Sequence, residues 1–519
     1  MKLSDICFEW HLANKVSKVL IQECVDLFSA HYGIWGKTAP YGLTPGERVR
    51  LSPKRMSALL TGPDTWLALA RHEDYLVGYA VAVQAIVPDK GILSWVSQLV
   101  VHSKYQGMGI AKNLLASVYG FSDHFSWGLV TANPKAVRAL EKATRRRVDP
   151  SMVYTHSDLL RAFAKEHVPY VGEGIFRCDE TRSVVDTSFH LDLDELDSLI
   201  MATSDVSKEP WKLGELEAGE EWIAFTFNEQ KPFPITCSDL DILLQHSEQK
   251  LWQAFERMTL DDNHRWMKFA AEEVKYLMET YEICPGSRIL DLGCGTGRHS
   301  LEMARMGMDV IGVDFITMFI QKAKERAAIQ KLHSCSFYIG DVRNLDFDHT
   351  RFDVVLALYD VVGSFASEEE NMAILRTIVN RLTPGGLAVI SVMNMHRTEH
   401  NALFRASLRD NPEELFRLPP SSTMESSGNV FDPRYYLVDS YSGVVYRREQ
   451  FSRGEQLPTE IIVRDKRYTR ESIASLVRES GLEILNVRYV RAGQFDKEID
   501  PVKAKEILVI ARSPVIKNV

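Results

Sequence analysis

Three glycines stand at alternate positions in Asp291-Leu292-Gly293-Cys294-Gly295-Thr296-Gly297, between an apolar run and a helix-like run. A turn this tight needs glycine, which accepts positive φ and lets a ligand lie against bare backbone. Carboxylates mark the next three apolar runs. Asp314 closes VIGVDF, where a carboxylate can accept both hydroxyls of a ribose. Asp341 closes YIGDV, placed to take the amino group of an adenine, and Asp353 opens FDVVLALYD. Leu358-Tyr359-Asp360 continue that fourth run as a pocket wall. Together these positions spell the holding of an adenosine-bearing molecule. A dinucleotide turn of the G-x-G-x-x-G kind would want glycine or alanine at position 298, and Arg298 stands there.

A second glycine-rich turn lies far upstream. Gln98-Leu99-Val100-Val101-His102 leads into Tyr105-Gln106-Gly107-Met108-Gly109-Ile110-Ala111 and then a helix-like run. Successive backbone N–H groups at such a turn make an anion site, reinforced by the helix dipole. Asn133-Pro134-Lys135-Ala136-Val137-Arg138-Ala139-Leu140 opens the following helix.

Both turns need strands and helices to hold them. Val16, Leu20, Ile21, Cys24 and Leu27 recur at helical spacing, and GIWGKTAPYGLTPGE after them reads as loop. TWLALARH and YLVGYAVAVQAIV, split by Glu73-Asp74, read as a β-hairpin. ILSWVSQLVVH (strand), GMGIAKNLLASVYGF (helix), WGLVTA (strand) and NPKAVRALEKATRR (helix) complete an α+β order centred on an antiparallel meander. Residues 173–245, with LDLDELDSLI and WIAFTF, read as a strand-bearing extension and connection. From about residue 250, short apolar strands alternate with helices, which argues for a parallel sheet covered on both faces. Residues 397–468 interrupt that alternation with aromatic-rich, strand-like segments. ESIASLVRES, EILNVRYV and EILVIAR then finish the sheet.

A chain of 519 residues is long enough for two domains and a smaller third piece. Its 45% hydrophobic and 25% charged content suits packed cores. A formal charge of −9 lacks the basic face that nucleic-acid binding needs. Arg145-Arg146-Arg147 reads as a solvated helix end, with phosphate contact the lesser reading. The first residues lack the apolar core of a secretory signal, and no run approaches the ~18 apolar residues of a membrane helix. The seven scattered cysteines form no CxxC pair or metal-ligand cluster. A reduced, cytoplasmic protein without metal, membrane or nucleic acid is the expectation, its oligomeric state open.

The block from about 250 to 519 resembles the class I S-adenosylmethionine (SAM)-dependent methyltransferases. DLGCGTG matches their first motif, GVDF their acidic loop, GDV their adenine motif and LTPGGLAVI the approach to their fifth strand. The resemblance implies a Rossmann-like, seven-stranded sheet. It also implies a SAM pocket of Asp291, Gly293, Cys294, Gly295, Gly297, Asp314, Phe315, Asp341, Val342 and Leu358. It fixes the methyl donor and leaves the acceptor open. Methyl transfer is an in-line displacement, so such a pocket chiefly positions its reactants. A base is needed only for an acceptor that arrives protonated, with Tyr359 and Asp360 as candidates. No Asn-Pro-Pro-Tyr or Asp-Pro-Pro-Tyr follows the fourth strand, where methyltransferases acting on nucleobase or protein-glutamine amino groups often carry it. Insertions in this family often act as lids. Here Tyr435, Tyr436, Tyr441, Tyr446, Arg447 and Arg448 either cap the acceptor or pack a surface hairpin.

Residues 10–165 resemble the GNAT superfamily of acetyl-coenzyme A-dependent acyltransferases, through Gln106-x-x-Gly109-x-Ala111 and the Asn133 segment. The resemblance implies an α+β fold on a mixed, largely antiparallel sheet. Acyl-CoA would lie against Leu99, Val101, Gln106, Gly107, Met108, Gly109, Ile110, Ala111 and Asn133. Two features depart from the family. Leu140 and Thr144-Arg145 replace its tyrosine acid and the Gly-Phe behind it, and Ser97-Gln98 replace its frequent glutamate base. Tyr105, Tyr154 and His102 are the substitutes at hand. The expected organisation is a GNAT-like domain over 1–172, the extension over 173–245 and a methyltransferase domain over 246–519. The leading expectation is a bifunctional tailoring enzyme that acylates and methylates small amines or natural-product precursors. The alternative is a methyltransferase with a silent or regulatory acyl-CoA-binding head, and a third class is a protein- or RNA-modifying enzyme, with the acidic balance weighing against RNA.

Overall fold

The computed structural model describes residues 2–208, 210–257, 264–345, 350–451 and 457–515. It forms two units, one of Met1–Lys250 with Gly454–Leu457, the other of Leu251–Arg453 with Pro458–Val519.

The first unit is built on an eight-stranded sheet. Its strands are β1 (Ile6–Leu12), β2 (Thr65–His72), β3 (Tyr75–Val87), β4 (Gly91–Val101), β5 (Ser126–Thr131), β6 (Ile175–Cys178), β7 (Ser183–Asp186) and β8 (Glu220–Phe227). They lie in the order β1-β2-β3-β4-β5-β8-β7-β6. The β2–β3 hairpin turns at Glu73-Asp74, with Glu73 left-handed at φ 53°. Strand β1 went unread in the sequence. The extension contributes β6, β7 and β8 to this same sheet. Alternation along β2 sends Trp66, Ala68 and Ala70 to one face and Leu67 and Leu69 to the other, so both faces need cover. Helices Ile110–Tyr119 and Pro134–Thr144 cover the first face, and Lys18–His31 covers the second through Cys24, Val25, Leu27 and Phe28.

Every pairing in this sheet is antiparallel except β4 with β5, parallel from Leu93↔Ser126 to Val96↔Leu129. A bulge sits at Ser97, where the β3 partners jump from Ala82↔Val96 to Val81↔Gln98. Beyond it β4 runs on to Val101 without β5, so the two strands part. The basic triplet is no solvated helix end. Arg145 donates to Phe233 O and Arg146 to Gln230 O and Asn228, which clamps the helix end to the segment after β8, while Arg147 donates back to Glu141 on the helix.

The second unit holds β9 (Arg288–Leu292), β10 (Asp309–Asp314), β11 (Cys335–Ile339), β12 (Phe352–Ala357), β13 (Leu382–Met393), β14 (Phe404–Ala406), β15 (Leu437–Asp439), β16 (Val444–Phe451), β17 (Thr459–Lys466), β18 (Glu483–Val490) and β19 (Glu506–Arg512). Seven form a sheet ordered β11-β10-β9-β12-β13-β19-β18, the first five parallel and β19 antiparallel to both its neighbours. Unbroken burial from Val354 to Ala357 in β12 and from Gly386 to Met393 in β13 matches a sheet covered on both faces. The insertion forms its own four-stranded sheet, β14-β15-β16-β17. All seven cysteines are free. Among the described residues no helix is long and apolar enough to cross a membrane.

Candidate active sites of the two units

Strand β9 ends at Leu292, and the chain turns through Gly293, Gly295 and Gly297 with φ of 64°, 56° and 80°. A Cβ at Gly293 would lie 2.5 Å from Val361 Cγ2, and one at Gly297 would lie 2.8 Å from the Phe337 ring. At Gly295 a Cβ would meet nothing within 4 Å, so bare backbone there faces open space. Helix Arg298–Arg305 starts at this turn, and its first N–H groups have no intrahelical acceptor. Asp314, at the end of β10, accepts the Gly295 and Ile316 N–H groups, each at 2.9 Å. Burial nevertheless pushes its pKa up to about 6.

Other residues of the expected pocket take supporting positions. Asp291 is buried and accepts the Ser300 hydroxyl at 2.6 Å, which anchors the helix that follows the turn. Cys294 lies beneath the turn, where burial pushes its thiol well up and leaves it inert. Phe315 packs against Phe255 with ring centroids 6.0 Å apart. Asp341 is gripped by Arg343, with Nη2 at 2.6 Å, and that grip outweighs burial to hold its pKa below the usual value. Val342 packs on the core beside it, and Leu358 is buried.

Tyr359 and Asp360 follow β12 with left-handed φ of 60° and 72°. Such a conformation costs about 1–3 kcal/mol per residue unless its surroundings enforce it, and strain of this kind clusters at functional sites. Here the enforcing contacts are visible. Tyr359 N–H donates to Ser391 Oγ at 2.7 Å, its hydroxyl donates to Glu273 at 2.5 Å, and the Arg298 guanidinium lies 3.8 Å from its ring centroid. Glu273 also accepts Gly493 N–H and meets His299 Nε2, both at 2.7 Å. Buried Glu506 nearby is pushed to about 7, first by desolvation and then by the Glu273 charge. The sequence reading missed Glu273, although a signal existed. It occupies an apolar position in the helical stripe Ala270, Glu273, Val274, Leu277, all of them buried.

Asp360 sits between the sheet and the insertion. Desolvation raises its pKa well above the usual range, helped by the Asp465 charge and opposed by Arg467 and Arg447. Asp465 accepts from Arg447 at 3.0 Å and from Arg467 at 3.3 Å, and Arg447 also pairs with Glu449 at 3.1 Å. Lys466 N–H donates to Gly363 O and Arg467 to Thr398 Oγ1, each at 2.8 Å. The end of β17 therefore rests on the loop after β12, above the carboxyl ends of the strands. Tyr436, Tyr446, Arg447 and Arg448 point into this insertion, Tyr435 is half-buried and Tyr441 is 64% exposed.

In the first unit Gly107 and Gly109 take φ of 81° and 86°, and a Cβ on Gly107 would meet nothing within 4 Å. Gly109 is the N-cap of the ten-residue helix Ile110–Tyr119, so the first-turn N–H groups of Ile110 and Ala111 have no intrahelical acceptor. Met108 packs against the core beside Leu99 and Val101. Gln106 Nε2 donates to Val101 O at 3.4 Å, on the edge of β4 that β5 has left. Alternation turns the polar backbone of Leu99 the same way. Asn133 is engaged as a helix cap, its side-chain oxygen accepting Lys135 N–H at 2.9 Å. Leu140 is wholly buried, Tyr154 is 50% exposed, the Tyr105 hydroxyl lies 3.4 Å from His72 Nδ1, and the His102 ring lies tilted against His31 with centroids 3.8 Å apart.

Residues 29–144 match the acetyltransferase (GNAT) family and residues 283–431 match a methyltransferase domain. The chain thus joins a domain of the acetyltransferase (GNAT) family to a methyltransferase domain. Over 105 residues it is 35% identical to the cypemycin N-terminal methyltransferase of Streptomyces sp., which covers 20% of this chain and 41% of that protein. A 58-residue stretch is 47% identical to a 23S rRNA (uracil(1939)-C(5))-methyltransferase of Shewanella sp., covering 11% of this chain and 13% of that enzyme. The chain thus spans well under half the length of these curated relatives. Among solved structures, the CcbJ methyltransferase of Streptomyces caelestis is similar at 18% identity and a TM-score of 0.36, covering 47% of this chain and 89% of that one. A glycopeptide N-methyltransferase, MtfA, solved with SAM is similar at 14% identity and a TM-score of 0.30, covering 47% and 94%.

Proposed function

We propose that the second unit binds SAM at the Gly293–Gly297 turn and methylates an amine of a small molecule or peptide. The first unit would acylate a related amine, using acyl-CoA held at the Gln106–Ala111 turn. The observation that carries the methyltransferase reading is the pairing of two features at neighbouring strand ends. One is a glycine turn open at Gly295, and the other is the left-handed pair Tyr359-Asp360. Bound SAM supplies an electrophilic methyl group for the acceptor nitrogen to take. In this reading Asp314, which also accepts Gly295 N–H, would accept ribose hydroxyls and Asp341 would meet the adenine amino group, with Val342 and Leu358 as apolar wall. Tyr359, locked by Glu273 and Arg298, fixes the site at which the acceptor meets the methyl group. The N-terminal methylation named for the cypemycin relative supports an amine acceptor.

An amine arrives as an ammonium and must lose a proton before it can attack. Asp360 is suited to take it, because desolvation and Asp465 raise its proton affinity. The groups facing it are Asp465, Arg447, Arg467 and Tyr468. A base must be unprotonated to act, so methyl transfer rises with pH through the elevated Asp360 pKa. Asp360→Asn flattens that limb and lowers kcat by roughly 10²-fold, with SAM affinity unchanged. A variant that kept the wild-type pH–rate profile would remove Asp360 from the chemistry. In the first unit Gly107, Gly109 and the helix N-terminus present N–H groups to a pyrophosphate, and the freed β4 edge at Leu99 and Val101 presents backbone to the pantetheine arm.

A further inference from the structure

A cleft of about 580 Å³ opens between the helix Ser157–His167 and β6, the last strand of the eight-stranded sheet. Three strand spacings, roughly 14 Å, separate β6 from β5, so the cleft stands apart from the parting of β4 and β5. Two glycines fold the chain tightly around it. A Cβ on Gly172 would lie 2.5 Å from Lys165 Cα, and one on Gly174 would lie 2.6 Å from Val185 Cγ2. The connection is thus pressed against the helix on one side and β7 on the other, which leaves the outer edge of β6 open.

That edge carries backbone groups with no strand beside them. Asp179 N–H donates to Arg182 O at 2.8 Å and closes the β6–β7 hairpin. Bonded and non-bonded pairs alternate along an antiparallel ladder. Arg177↔Val184 and Ile175↔Asp186 are therefore bonded pairs, and Phe176↔Val185 is not. The Phe176 N–H and C=O point outward, at the cleft that Phe176 lines. Ile175 beside it is 60% exposed.

Cations stand over this edge. Arg161 and Lys165 lie one helical turn apart on the same face and both line the cleft, with Glu173 nearby. The Arg161 guanidinium lies 5.2 Å from the Phe176 ring centroid. Its Nε is buried without a hydrogen-bond partner, and no carboxylate among the described residues pairs with it. A guanidinium offers a rigid fork of donors that matches a carboxylate, and the two cations outweigh Glu173. An outward-facing strand edge, in turn, is completed by another main chain.

We propose that this cleft docks an extended peptide segment bearing an acidic side chain, which pairs with β6 as a ninth strand and sets its carboxylate on Arg161 and Lys165. Main-chain bonds to Phe176 hold the segment, and the cation pair selects its charge. The site is independent of both cofactor turns.

Fluorescence anisotropy with the full-length protein tests this, using fluorescein-labelled Thr-Val-Glu-Val-Thr amide and its counterpart with lysine in place of glutamate. The glutamate peptide binds at least about tenfold tighter. Arg161→Glu with Lys165→Glu reverses that preference. Arg161→Gln with Lys165→Gln, which introduces no new charge, erases it, and circular dichroism checks the fold of each variant. Of two glutamate peptides methylated on alternate amide nitrogens, the one whose methyl groups face β6 fails to bind and the other still binds. No binding of the glutamate peptide, equal affinity for both charges, or a preference that survives in the charge variants overturns the proposal. Equal behaviour of the two methylated peptides overturns the strand pairing.

Discussion

Asp314→Ala abolishes SAM binding while leaving the second unit folded. The carboxylate ties the glycine turn to β10 and, in the proposed pocket, would face the ribose. Hydrogen bonds to charged groups contribute about 1.5–3 kcal/mol each, so losing two weakens SAM by more than about 100-fold. Calorimetry measures this, with circular dichroism as the check on folding. Unchanged affinity would sink the site assignment. The wild-type protein makes the same point through pH. With a pKa near 6, Asp314 becomes protonated below that value and surrenders acceptor capacity, so SAM binding weakens on acidification. The sign for folding is opposite. A raised carboxylate pKa means that the group stabilises the free unit most at low pH, and that contribution is lost as pH rises through about 6. Weaker binding at pH 5 therefore cannot be ascribed to Asp314 loosening the fold.

Asp465→Ala destabilises the second unit severely. Arg447 and Arg467 are both buried and both rely on this carboxylate, and the Nε of each already lacks a partner. Removing one member of a buried ion network costs about 3–5 kcal/mol, because charge is left uncompensated. For a unit of this size that lowers Tm by roughly 10 °C. Asp465→Asn keeps an acceptor and loses less. Asp465 also raises the Asp360 pKa, so in the Asn variant the rising limb of methyl transfer moves to lower pH. A thermal melt within a degree or two of wild type would show that the network is not structural.

Residues whose demands are local were legible in the sequence. Gly293, Gly295, Gly297 and Gly109 need positive φ, and a strand–turn–helix pattern around them is enough to place them. The seven-stranded sheet was legible because each apolar strand and amphipathic helix carries its own period. Side chains that change role through distant partners were hidden. Arg145 and Arg146 read as a solvated end because their acceptors, Phe233 O and Gln230 O, lie beyond β8. Arg447, Glu449 and Asp465 lie on strands, where charge suggests an outward face, yet they neutralise one another inside. Asn133 matched a family pattern whose local cause here is a helix cap.

The central claim is that one chain carries two group transfers to small amines. Purified protein, metabolite extract and methyl-deuterated SAM, with and without isotope-labelled acetyl-CoA, followed by untargeted mass spectrometry, test it most directly. The account predicts a low-molecular-weight amine or peptide that gains the methyl label, and a related species that gains the acyl label. Methyl label without any acyl-labelled species would reduce the first unit to a binding head. Label confined to intact protein or RNA, with no small product, would contradict the account.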